Sequence, residues 1–295
     1  MIPWVIFRRS LMIALAAFHL ALATAFAGNQ ALVTGFYAGS LGAGGATAAE
    51  RSGFGQNPAA LRPDRIGAHA DFHQPFGMDG LQVSEAGISG DAGFFGAAFD
   101  WRETGVEGLY GEQGLQASQT LRLGRAGSAF PGILDLGASW IRWQSFWPGG
   151  GREIAWSHGC GAVWWPIRRF KAGAFAAGLP LEAGARERTD RVLQWGFEAD
   201  SRDPDGDDFL QVLRLDFRKT ADTPWRILAS LSLRPHPSVE FTAGMANPPF
   251  QGSLGVRLAW HGAEWRQALR YHRYLGRTWL SGLVYSHPWR TSGAR

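Results

Sequence analysis

From Trp225 to Tyr285 the chain places a large apolar side chain on almost every second position. Ile227, Ala229, Leu231 and Leu233 alternate with Arg226, Ser230, Ser232 and Arg234. After Pro235-His236-Pro237, Val239, Phe241, Ala243 and Met245 alternate with Glu240, Thr242 and Gly244. After Asn247-Pro248-Pro249, Leu254, Val256, Leu258 and Trp260 alternate with Ser253, Gly255 and Arg257. Trp265, Leu269 and Tyr271 then face away from Glu264, Arg266 and Arg270, and a weaker run carries Trp279, Leu283 and Tyr285. A period of two puts successive side chains on opposite faces of a pleated sheet. The runs are about 9–10 residues long and are separated by Pro, Gly and Asn, so they read as strands joined by turns.

Charged residues lie inside these strands, opposite the aromatics. A soluble sandwich would turn such a face to water; a membrane barrel would turn it to an enclosed lumen and show the apolar face to lipid. Periodicity alone does not separate the two.

Further runs are expected at about 66–73, 81–89, 92–101, 115–124, 133–146, 153–164, 170–179, 192–200 and 208–218. With 225–234, 238–246, 252–260, 263–271 and 279–286 they make fourteen, an even number. Leu193, Trp195 and Phe197 alternate cleanly with Gln194, Gly196 and Glu198, whereas the early runs are less distinct. Trp101, Trp164, Trp165 and Trp260 close runs, and Trp225, Trp265 and Trp279 open them. Aromatics at strand ends are what interfacial belts need. The longest outward connections are expected at about 102–114 and 180–191.

The first 27 residues read as an export signal. Arg8-Arg9 precede the apolar run Leu11 to Leu22, and Ala25-Phe26-Ala27 has the small-x-small form of a cleavage site. No other stretch has the roughly 18 continuous apolar residues of a spanning helix, so an exported chain that enters a membrane must do so as strands. Charged residues make up 18% of the chain, below the roughly 25% of average soluble domains. The 40 glycines and 14 tryptophans fit many turns and aromatic girdles, and they also fit a large exported sandwich. The single cysteine, Cys160, excludes an internal disulfide and reads as a small residue packed beside glycines.

Chemistry was sought along the same chain. Asp203 to Asp208 has the alternate spacing of a calcium loop. However, Gly206 stands at the fourth position instead of the sixth, and Arg214 occupies the place of the bidentate Glu. No histidine pair has zinc-protease spacing, Gly42-Ala-Gly44 lacks the strand and helix a phosphate cradle needs, and no basic run marks a nucleic-acid partner. His158, His236, His261, His272 and His287 fall near run ends, and nothing pairs one with a nucleophile. The expectation is a non-enzyme without cofactor or metal. Arg214, Asp216, Arg218, Arg226, Arg234, Glu240, Arg257, Glu264, Arg266 and Arg270 would all point into a lumen. Buried charges need partners, so mixed signs on adjacent strands favour a cross-linked interior over an open pore.

Two stretches carry a family resemblance. A Gly/Ala-rich segment from Gly39 closes in Asn57-Pro58-Ala59-Ala60-Leu61. It resembles the N-terminal segment of the long-chain fatty-acid transporter (FadL-type) barrels and of the related PorV-type barrels of type IX secretion. Tyr271-His272-Arg273-Tyr274-Leu275-Gly276-Arg277-Thr278-Trp279 is similar to the connection before the last strand in PorV-like proteins. Arg273 and Trp279 depart from that pattern, where the family has Pro and His, and residues follow the last aromatic, Trp289. The resemblance implies a fourteen-stranded outer-membrane barrel with the Gly-rich segment packed inside it. The expected layout is a signal at 1–27, a plug at 28–62, a barrel at 63–289 and a tail at 290–295. Asn57, Pro58 and Ala59 would form the plug motif, and Leu275, Gly276 and Thr278 the last-hairpin motif. Two functions follow from the resemblance, both in an outer membrane of Gram-negative type. One is a secretion or surface-assembly partner of other envelope proteins, toward which Leu275-Gly276-Arg277-Thr278 and the charged lumen lean. The other is a passive transporter of hydrophobic, fatty-acid-like small molecules with a lateral exit. A soluble periplasmic sandwich that binds a ligand remains a third reading.

Overall fold

In the stretch Leu210–Thr220, Leu213 and Leu215 are exposed while Val212, Arg214 and Asp216 are buried. A chain with greasy residues outside and ionic ones inside has its polarity inverted, and most strands share a polar or charged inner face. In the computed structural model the described residues are 56–61, 65–91, 93–106, 108–123, 132–167, 169–180, 191–201, 210–220, 223–247 and 249–288. The expected signal, most of the plug segment, the acidic 203–208 stretch and the C-terminal tail lie outside them.

The strands are β1 (Arg65–Gln74), β2 (Leu81–Asp91), β3 (Phe95–Val106), β4 (Tyr110–Leu123), β5 (Ile133–Trp147), β6 (Gly151–Ile167) and β7 (Phe170–Pro180). They continue with β8 (Val192–Asp200), β9 (Leu210–Thr220), β10 (Arg226–His236), β11 (Val239–Asn247), β12 (Gln251–Trp260), β13 (Ala263–His272) and β14 (Gly276–Pro288). Each is antiparallel to its sequence neighbours, and β1 also pairs with β14, from Arg65↔Pro288 to Gln74↔Trp279. The sheet is therefore a closed barrel of fourteen strands, as the period-two runs and their even number imply, and among the described residues no second sheet covers its apolar face. The sandwich reading ends here.

Leu254 is 63% exposed, Leu283 61% and Trp260 75%. In water so large an apolar band would drive aggregation; around a barrel it is the surface that hydrocarbon covers. Inside, Asp71, Glu85, Asp100, Arg102, Gln116, Asp135, Gln194 and Asp216 are all buried. The end at which β1 starts and β14 finishes is called the terminal end below, and the opposite end the far end.

Several of the described connections are tight. His261 and Gly262 take φ +45 and +87 between β12 and β13, the handedness a two-residue hairpin turn requires. A side chain on Gly262 would also stand 2.7 Å from the Ser286 carbonyl. The long connection expected over 102–114 does not form: β3 runs to Val106 and β4 starts at Tyr110. Glu103 pairs with Gln113 across the two strands. Their polar outward residues hide the alternation from an apolar scan, yet the backbone ladder continues. Trp101 consequently sits mid-strand, not at a strand end. His158 likewise lies mid-strand opposite Trp140, away from the run end expected for it.

Strand lengths are uneven: β6 has 17 residues and β5 has 15, whereas β8 and β11 have 9 each. β7 ends at Pro180, opposite Ser157. Residues 151–156 therefore pair only with β5 among the described residues, and the β5–β6 hairpin overhangs the far end. Between β6 and β7 the register shifts where Gly178 takes φ +72, a bulge that the even run pattern does not reveal.

Leu231 lies mid-way along β10 on the outer face. Replacing it by Arg is expected to cost about 2–4 kcal/mol of stability in bilayers, read by urea titration of the protein folded in lipid vesicles. Placing Arg at exposed Met78, in the β1–β2 turn, should change little.

Candidate functional site

Gly96, Thr120, Gly137 and Gly161 belong to the inward-facing sets of β3, β4, β5 and β6. Each touches the short element Gln56–Leu61, which therefore lies inside the barrel near the terminal end. Asn57 is fully buried. Its Nδ2 donates to the carbonyls of Ala162 at 3.1 Å and Ala174 at 3.4 Å, bridging β6 and β7. Its Oδ1 accepts from the Ala59 amide at 3.0 Å, and the Ala60 amide donates to the Asn57 carbonyl at 3.1 Å, making a tight turn. Thr120 Oγ1 donates to the Pro58 carbonyl at 2.5 Å.

The wall under this turn is cut away. A Cβ on Gly161 would run into Asn57 Oδ1, and one on Gly137 into the backbone of Pro58 and Ala59. One on Gly96 would stand 3.0 Å from Leu61 Cδ1. Glycine here permits close backbone approach, and the missing side chains make the recess that Asn57-Pro58-Ala59 fills.

The inward charges are cross-linked. Lys171 and Arg214 both bind Glu198, Arg214 through Nε at 3.0 Å, and an Arg214 terminal nitrogen reaches Ser232 Oγ at 3.0 Å. Ser232 continues to Thr242 at 2.9 Å, so one chain of contacts spans β7 to β11. A second spans β10 to β13. Arg234 binds Glu240 at 2.6 Å, Arg257 contacts Glu240 at 3.4 Å and Glu264 at 2.8 Å, and Arg266 also binds Glu264. Asp216 accepts from Gln194 at 2.5 Å and lies over Gly196. Arg270 lies toward the far end, within electrostatic reach of Arg218 and Arg226. Thus Arg214, Asp216, Arg257, Glu264, Arg266 and Arg270 all face the lumen, and most are tied to the wall.

Leu275, Gly276 and Thr278 sit at the far end, where the seam between β1 and β14 closes. Thr278 Oγ1 accepts from the Phe76 amide at 3.0 Å, and the Leu275 and Tyr274 amides donate to His272 Nδ1 at 3.1 and 3.2 Å. The motif latches the first turn, Pro75–Gly77, to the last hairpin.

Sequence reasoning missed the partners on the early strands. Arg122 and Asp135 form a two-pronged pair at 2.8 and 2.9 Å between β4 and β5, beside the recess. His69 Nε2 lies 3.5 Å from Glu85 and 3.7 Å from Asp100 across β1 to β3. Glycines spaced two apart in Gly159-Cys160-Gly161 were the available signal for the recess, since they fall on one face. Cys160 itself faces the other way and packs with Ala176, Leu179 and Leu193.

Beyond the recess, toward the far end, the inner wall turns apolar: Ile141, Trp143 and Ala155 on β5–β6, Phe175, Ala177 and Val192 on β7–β8, and Leu228 with Ala246 on β10–β11. A cavity of about 610 Å³ near Gln82, Glu103 and Phe146 opens mainly on the outer face, away from this surface. Among the described residues no three His, Cys, Asp or Glu side chains converge as metal ligands.

No protein-family model matches the chain, and no curated protein sequence does. Its fold is shared with solved outer-membrane barrels. A Pseudomonas aeruginosa FadL homologue superposes with TM-score 0.54 at 11% identity, covering 90% of this chain and 100% of that one. The CymD monoaromatic hydrocarbon channel gives 0.54 at 13%, with 84% and 96% covered. The Pseudomonas putida toluene transporter TodX gives 0.52 at 10%, with 85% and 96% covered. The chain has the FadL-type outer-membrane barrel fold.

Two outcomes follow from these contacts. Gly137→Val should eject the Gln56–Leu61 turn while the barrel persists, read as new protease cleavage before Leu61 with the strands still protected. Glu198→Ala strands both Lys171 and Arg214, and should cost about 3–5 kcal/mol in vesicle unfolding, with Glu198→Gln milder.

Proposed function

We propose that this chain, exported by a cleaved signal at 1–27, is a passive outer-membrane channel for small hydrophobic molecules. The observation that carries the reading is the apolar inner surface around Ile141, Trp143 and Phe175, next to the recess that holds Asn57-Pro58-Ala59. A lumen lined only by ions would offer a hydrocarbon nothing; this one offers apolar patches ending at a seated turn. The turn serves as the stopper of the terminal end, held by the Asn57 bonds to the β6 and β7 carbonyls and by the Thr120 bond to Pro58, contacts that can break and reform. The hydrocarbon and toluene specificities named for the barrels of like fold support the same substrate class. The lumen charges, which lean the sequence toward a secretion partner, are largely occupied in bracing the wall and add no weight to that reading.

Cells lacking the protein should take up labelled toluene or oleate several-fold more slowly than wild type, with uptake of a hydrophilic sugar unchanged. Equal uptake of every probe removes the channel reading. Loss of secreted proteins from the cell surface with normal uptake would favour the secretion partner.

A further inference from the structure

The overhanging β5–β6 hairpin carries two arginines on its outer face. Arg142 pairs across the hairpin with Trp156, Gln144 with Ile154, and Arg152 with Phe146. All share the side of Trp140, which is exposed in the apolar band. One terminal nitrogen of Arg142 donates to Gln144 Oε1 at 3.2 Å, and one of Arg152 donates to the same oxygen at 2.5 Å. Two guanidinium groups thus share one neutral acceptor, and neither has a carboxylate partner among the described residues. No described carboxylate offsets their mutual repulsion.

Their position says what compensates it. Below Arg142 the outward residues of β5 are Leu134, Leu136, Ala138 and Trp140, a hydrocarbon-facing run closed by an aromatic. Arg142 is the first charge beyond that run, and its stem lies beside exposed Trp156. Aromatics mark the height at which hydrocarbon gives way to headgroups, and long basic side chains reach from that height toward the polar layer. Arginine binds phosphate through paired, parallel hydrogen bonds. A phosphodiester brings one negative charge, whereas a phosphomonoester carries about −1.5 to −2 at neutral pH and so matches two cations.

We propose that Arg142 and Arg152, held side by side by Gln144, form a clamp for the phosphomonoester headgroup of a membrane lipid surrounding the far end. Trp140, Ile154 and Trp156 supply the apolar bed for the lipid's chains. The site lies on the outer wall and is independent of the channel reading.

The test uses the full-length protein, delipidated in a neutral detergent, with dimyristoyl phosphatidic acid and dimyristoyl phosphatidylglycerol as probes and native mass spectrometry as readout. Wild type should bind the phosphatidic acid about tenfold more tightly, and Arg142→Gln/Arg152→Gln should abolish that preference. Heat-modifiable gel migration confirms that the variant folds, and Gln144→Ala, which only loosens the pair, should give an intermediate value. Equal binding of both lipids by wild type, or a preference that survives in the double variant, overturns the proposal. Displacement of the lipid by millimolar inorganic phosphate would show a free-anion site instead and overturn it too.

Discussion

Everything in this protein depends on closing the sheet. A strand edge left in hydrocarbon exposes a row of amide and carbonyl groups that lipid cannot satisfy, at several kcal/mol per group. The β1–β14 seam is therefore the decisive contact, and it is reinforced where it ends. The Phe76 amide is bound by Thr278, and His272 gathers the amides of the last turn. Once closed, the barrel separates two solvents, and every strand must alternate between them.

That separation sets the chemistry of the inner wall. Facing no lipid and little water, its charges have to find one another. Lys171–Glu198–Arg214 and Arg234–Glu240–Arg257–Glu264–Arg266 run perpendicular to the strands, so they tie neighbours together in the direction the hydrogen-bond ladder already runs. Between β3 and β6, beside the Arg122–Asp135 pair, glycines thin the wall and the Asn57 turn takes the place of side chains. Packing and electrostatics thus divide the circumference.

Much of this was legible because the period of two is a strong signal wherever one face is lipid. From β8 to β13 the runs matched the strands closely, since Trp, Leu and Phe alternate there with Arg, Glu and Ser. The bounds of β3 and β4 were blurred because these strands continue past the apolar band: Glu103 and Gln113 point outward where lipid-facing residues would be apolar. The inward direction of Arg214, Asp216 and Arg257 was readable from parity alone. Their partners were not, because a pair such as Arg257 with Glu264 depends on register, and register is fixed by turns such as His261-Gly262. The full recess was not legible for a related reason: Gly96, Gly137 and Gly161 are far apart in the chain and converge only after closure.

The unequal strand lengths shape how the barrel meets its surroundings. Among the described residues β5 and β6 rise past β7, so the far end carries a raised lip on that flank. A molecule sliding along the bilayer surface would meet that lip as a wall, so approach from this flank is hindered.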